Sequence, residues 1–209
     1  MSGRRSSHRI VFAIIGSLVA VSSVVGCGSS SAGLDEPGAD SVARTASVMV
    51  GSEYVLAPDD VTAVKVIGLD LVTLASPLRT WWATFQDPEV DEAAWLTDAP
   101  RLLDAMRTTV AHIADQLGPG RDIAVRATFT PYLQQWRLVL DALDAMRAAV
   151  RTANVAAQQQ ATDAYNAAIA AMGRLDAQRV ARVVDAYGRD EAKRALAAQG
   201  LDPTRFGLE

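Results

Sequence analysis

The 209-residue chain is poor in the side chains from which most catalytic and metal centres are built. It holds one cysteine, Cys27, and two histidines, His8 and His112. A single thiol excludes an internal disulfide and a paired-cysteine redox or metal motif. Two distant histidines fall short of the several nitrogen or sulfur ligands that a zinc site collects. No Gly-x-Ser-x-Gly elbow presents a serine nucleophile, and no glycine-rich loop is spaced to cradle phosphate. No segment carries the Glu-x-x-His signature of di-iron bundles. These absences lead us to expect no metal, no cofactor and no enzymatic activity.

Strand-like alternation between turn signals is also missing, which leaves helices as the regular structure. What the chain has instead is an apolar start. Arg4, Arg5 and Arg9 precede a nearly unbroken apolar run from Ile10 to Val25, which ends in Val24-Val25-Gly26-Cys27. The run is shorter than the roughly 20 residues that a bilayer-spanning helix needs, and Gly16, Ser17, Ser22 and Ser23 weaken it further. A basic flank, a short apolar stretch and small residues near its end form the three-part layout of a secretory signal peptide. Arg4-Arg5 is not followed by the apolar positions of a twin-arginine signal, so general secretion is expected.

Residues 1–27 resemble the signal peptide and lipobox of bacterial lipoproteins. In that family the cysteine thiol takes a diacylglyceryl group, the bond before it is cut, and the new amino terminus is often acylated. The resemblance therefore implies cleavage between Gly26 and Cys27, with lipid attachment at Cys27. Each buried methylene contributes about 0.8 kcal/mol and one chain holds only marginally, so two or three chains give durable anchoring. The expected location is extracytoplasmic, with the body tethered to the cell membrane.

Loss of residues 1–26 leaves 17 basic against 24 acidic side chains, a formal charge of about −7. An acidic body argues against nucleic acid and against flat docking on anionic lipid. Residues 27–58 read as a lipidated tether, with Gly28-Ser29-Ser30-Ser31-Ala32-Gly33 and Asp35-Glu36-Pro37-Gly38 and no helical period. Thirty such residues have a root-mean-square reach of about 30 Å. Val48, Val50, Tyr54, Val55 and Leu56 are more apolar than a spacer needs, which is consistent with the latter half lying against the body.

Residues 59–200 carry helical periodicity. Val64, Ile67, Leu71, Leu74, Leu78, Trp81 and Phe85 alternate in steps of three and four, after an Asp59 or Asp60 cap and with a kink or restart at Ser76-Pro77. A second stripe, Leu103, Met106, Val110, Ile113 and Leu117, is entered through Thr97-Asp98 and closed by Gly118-Pro119-Gly120. A third, Leu133, Trp136, Leu140, Leu143 and Val150, has Arg147 where an apolar residue would fit. It starts at a Thr130 cap, or nearer Asp122 if Pro131 only kinks it. A fourth runs from about Val155 to Tyr187 with Tyr165, Ile169, Met172, Val180, Val183 and Val184 on its stripe. A short helix over Asp190–Gln199 and a tail, 201–209, follow. Short connections between long amphipathic helices predict an all-α, antiparallel four-helix bundle with a kinked first helix.

Few side chains in this body suggest a site. His112 stands beside the second stripe and reads as a flank residue. Arg137 and Asp141, and Asp144 and Arg147, have the spacing of surface ion pairs. Trp82 is turned about 100° from Trp81, which lies on the stripe, and Trp95 falls in the acidic connection after Asp87. Trp82 and Trp95 are therefore the candidate partner or ligand surface, although core packing accounts for them as well. Ala157, Ala161, Ala164, Ala168 and Ala171 either allow close packing of the fourth helix or leave a groove for an apolar ligand. The function expected is a non-enzymatic interaction or structural module that binds another envelope protein. A carrier of a hydrophobic ligand is the alternative, and an envelope hydrolase ranks last.

Overall fold

The computed structural model describes residues 56–198 and 202–209, and the lipobox residues Gly26 and Cys27 and nearly all of the tether lie outside them. Among the described residues the regular structure is entirely helical: α1 (Pro58–Thr73), α2 (Ala75–Gln86), α3 (Glu92–Gln116), α4 (Ile123–Arg151), α5 (Val155–Tyr187), α6 (Arg189–Ala198) and a 3-10 turn at Pro203–Phe206.

Capping chemistry sets most of these limits. Pro58 opens α1 because the first helical position needs no amide donor, so the extended residue Ala57 is the cap and accepts from the amides of Asp60 and Val61 at 2.9 and 3.0 Å. Asp59 and Asp60, expected as caps, lie in the first turn, where their charge complements the helix dipole. The Asp60 carboxylate instead accepts from the Asp122 amide at 3.3 Å, and Arg121 donates to the Asp59 carbonyl at 3.2 Å. These two bonds fasten the start of α1 to the turn between α3 and α4.

The kink anticipated at Pro77 falls at Leu74, three residues earlier. Proline disturbs the carbonyl four residues back, here that of Thr73, so the ladder is broken there while Pro77 itself sits in the first turn of α2. Ser76 caps nothing. Two other prolines are helix interior. Pro100 lies within α3, which starts not at the expected Thr97-Asp98 but at the Asp91 cap, accepting from the Ala94 amide at 3.2 Å. Of the two starts expected for α4, the one near Asp122 is found: Asp122 caps it through the Ala124 amide at 2.7 Å, and Pro131 lies within the helix. In both helices buried residues on each side of the proline, Trp95 and Leu103 in one and Phe129 and Leu133 in the other, hold the axis together.

The bounds of α5 agree with the expected Val155 to Tyr187, with Asn154 as its cap. Gly188 ends it at φ 84°, a conformation that a side chain at this position would strain.

Elements adjacent in sequence pack together: α1 and α2 on α3, α3 on α4, α4 on α5 and α5 on α6, with α4 and α5 sharing the most extensive contact. Val64, Ile67, Leu78, Trp81, Leu103, Met106, Ile113, Phe129, Leu143, Tyr165 and Met172 belong to one main core. Leu56, the last residue of the apolar stretch before α1, is buried in it. The expected tail is not loose along its described length. Leu208 joins Val180, Ala192 and Leu196 in a second, smaller cluster, and Arg189 donates to the Gly207 carbonyl at 2.7 Å.

Candidate functional site

The two tryptophans singled out from sequence do not form a surface. Trp82 and Trp95 are 4% and 2% exposed, and both belong to the core. The reason for Trp95 is the early start of α3, which makes the presumed connection a first helical turn with an inward face. Trp82 is buried because α2 meets two neighbours. Trp81 packs edge-on against Trp95 of α3 at 5.1 Å between ring centroids, while Trp82 packs against Tyr165 of α5 at 4.8 Å. Phe85 completes the cluster, 5.4 Å from Trp81 and 5.1 Å from Trp95. Such offset and edge-to-face contacts add about 0.5–1.5 kcal/mol per pair beyond area burial. The indole N–H groups of Trp81 and Trp95 are buried without a protein hydrogen-bond acceptor. Burial pushes the Tyr165 hydroxyl up to about 12, against a smaller opposing effect of the Trp82 indole beside it.

His112 lies on the flank of α3, half exposed, and has a partner that sequence reasoning missed: its Nδ1 is 2.7 Å from Oδ2 of Asp70 on α1. Gln116 approaches the other ring nitrogen at 3.5 Å. An imidazole oriented by a carboxylate is part of a nucleophile-activating arrangement. The hydroxyls one turn away are committed elsewhere, Thr108 to the Asp104 carbonyl at 2.9 Å and Thr109 to the Ala105 carbonyl at 3.2 Å. As placed, the pair links α1 to α3. Among the described residues no three His, Cys, Asp or Glu side chains converge.

Of the two ion pairs expected on α4, one forms. Asp144 accepts from Arg147 at 3.0 Å and from Arg107 of α3 at 2.9 Å, so it also bridges helices. Partial burial works to raise its carboxyl, but the two guanidinium groups outweigh it and hold Asp144 below the ordinary carboxylate range. Arg137 and Asp141 are not joined. They line, with Arg107, Val110, Ala111 and Leu140, an open groove of about 270 Å³ between α3 and α4.

A second polar contact missed from sequence crosses between α4 and α5. The Tyr132 hydroxyl donates to Asp176 Oδ1 at 2.9 Å, and Arg179 stands 3.7 Å from the same oxygen. Burial pushes the Asp176 carboxyl up, and Arg179 and the Tyr132 hydroxyl offset only part of that effect. The folded-state value thus lies above the unfolded one, near about 3.9. The stability linked to this group is fully present below the unfolded value and is lost as pH rises through the folded one. In urea titrations at stepped pH, wild type should gain stability relative to Asp176→Asn as the pH is lowered towards about 4. A difference that stays flat or moves the other way would refute the assignment.

The small residues of α5 divide by face. Ala161 and Ala168 are buried in the core, Ala157 and Ala171 are half-buried, and Ala164 is exposed. The buried alanines share a stripe with Tyr165, Ile169 and Met172 in the main core, on the helix that makes its largest contact with α4. The side chains of Val183 and Tyr187 lie outside the described set. The one outward apolar face on the helix that follows the tether belongs to α1, where Leu69 is 64% and Val72 39% exposed. No family model matches the chain, and neither a curated protein nor a solved structure is similar to it.

Proposed function

We propose that this chain is an exported lipoprotein, anchored through lipid on Cys27 after cleavage behind Gly26, whose body is a non-enzymatic module for binding another protein of the cell envelope. The observation that carries the binding role is the outer face of α1. Val64 and Ile67 of this helix are buried, and Val61 and Leu71 pack against the core. Leu69 and Val72 are left outward and exposed, on the first helix after the tether. Exposed apolar residues beside a polar rim suit a protein partner.

The body is read as a four-helix antiparallel bundle in which α1 and α2 count as one kinked helix. In support, the start of α1 is bonded to the turn after α3, and Asp70, twelve residues into α1, reaches back to His112 on α3. A ligand-carrying role is less favoured, because Ala161 and Ala168 are buried within the main core.

The test uses the full chain in cells, followed by fractionation and chemical cross-linking. Cys27→Ala should leave an uncut precursor or release the protein. A double variant, Leu69→Asp with Val72→Asp, should stay on the membrane yet lose its cross-linked neighbour. Normal processing and retention of Cys27→Ala would defeat the anchor. Unchanged cross-linking of the double variant would defeat the α1 surface.

A further inference from the structure

The outer face of α4 exposes Arg137, Leu138 and Asp141 in succession. Arg137 and Asp141 are one helical turn apart, a spacing at which opposite charges pair on a helix, yet neither has an ionic or hydrogen-bond partner among the described residues. Three residues further on, Asp144 holds two arginines. Order contributes to the difference: a base preceding an acid by four residues is the weaker arrangement. Leu138, on the same outer face, is 52% exposed. The same two charges line, with Val110, Ala111, Leu140 and the ion-paired Arg107, the open groove between α3 and α4.

The two charges on this face cancel, so a uniformly acidic or basic partner gains nothing from it. It favours a surface that carries the same charges in reverse order, and this helix read antiparallel is such a surface. A two-fold axis through Val139 sets Arg137 of one copy opposite Asp141 of the other, and the reciprocal pair follows from symmetry. Each Leu138 lies about 80° around the helix from that axis, so the two leucines flank the contact on opposite sides, each beside the partner helix. An isologous contact requires this kind of self-complementarity.

We propose that the outer face of α4 is a homotypic docking surface, on which a second copy of the chain lies antiparallel and forms two reciprocal Arg137–Asp141 ion pairs beside Leu138. The inference uses residues distinct from the α1 face and goes beyond the envelope-partner reading. Exposed ion pairs are individually weak, so the contact is populated where copies are concentrated, as on a shared membrane.

The experiment places a photo-reactive benzoylphenylalanine at position 138 of the full chain in its own cells. Irradiation should give a dimer of the chain. Arg137→Glu alone or Asp141→Arg alone, each turning two attractions into repulsions, should reduce that product about tenfold. Co-expressing the two variants under different tags should restore it as a mixed dimer, because one copy is then wholly acidic and the other wholly basic on this face. A wild-type yield of monomer only, a dimer indifferent to both reversals, or a product containing a different protein would each overturn the proposal.

Discussion

Replacing Trp81 with alanine is expected to lower the free energy of unfolding by about 3–5 kcal/mol. Its side chain is wholly buried and lies within 5.4 Å, centroid to centroid, of Trp82, Phe85 and Trp95. It therefore holds α2 against α3 as well as filling space. Its indole N–H has no acceptor, so truncation strands no hydrogen-bond partner, and the loss arises from cavity formation and lost ring contacts. Typical domains are stable by about 5–15 kcal/mol, so the variant should sit near the limit of folding at 37 °C. Urea denaturation followed by circular dichroism measures the change as a shifted midpoint at constant slope. A loss under about 1 kcal/mol would mean that the aromatic cluster does not close around this ring.

The second large effect should come from Ala168→Leu on α5, at about 1–3 kcal/mol destabilising. Ala168 is 3% exposed and lies in the core with Tyr165, Ile169 and Met172, on the helix that makes the broadest contact with α4. Three added carbons have to be accommodated by pushing the two backbones apart or by forcing neighbours off their rotamers. If the alanines instead lined room for an apolar ligand, leucine would fill that room and leave stability unchanged or raised. The same denaturation series thus separates close packing from the carrier reading. A neutral or stabilising result would revive the carrier.

Trp81 is a place where local pattern and tertiary arrangement agree, whereas the alanine stripe around Ala168 left two arrangements open. Stripes set by period were legible: Leu103, Met106, Val110, Ile113 and Leu117 are all buried, since a helix that packs on its neighbours must repeat its apolar face every three or four residues. Helix starts were less legible. The entry expected at Thr97-Asp98 lies earlier, at the Asp91 cap, and Pro131 left the start of α4 open between Thr130 and Asp122; an interior proline costs about 3 kcal/mol, which burial on both sides outweighs in α3 and α4. Trp82 misled for a related reason. One stripe describes a helix with one neighbour, whereas α2 touches α3 and α5 and so buries a wider arc. The pairs Asp70–His112 and Tyr132–Asp176, 42 and 44 residues apart, leave no local trace because each partner alone reads as an ordinary flank residue. Cys27 rests on a short linear motif that needs no fold to be read, and it lies outside the described residues.

The main core reaches along α5 as far as Met172, and the smaller cluster begins at Val180. Gly173, with open space around it, stands immediately after the first of these limits, where glycine weakens a helix by about 1 kcal/mol relative to alanine. One helix is thus shared by two apolar clusters, and α6 with the 3-10 turn rests on the smaller of them. Local opening should cost less there than in the assembly from α1 to the first half of α5, which hydrogen exchange would read as weaker protection.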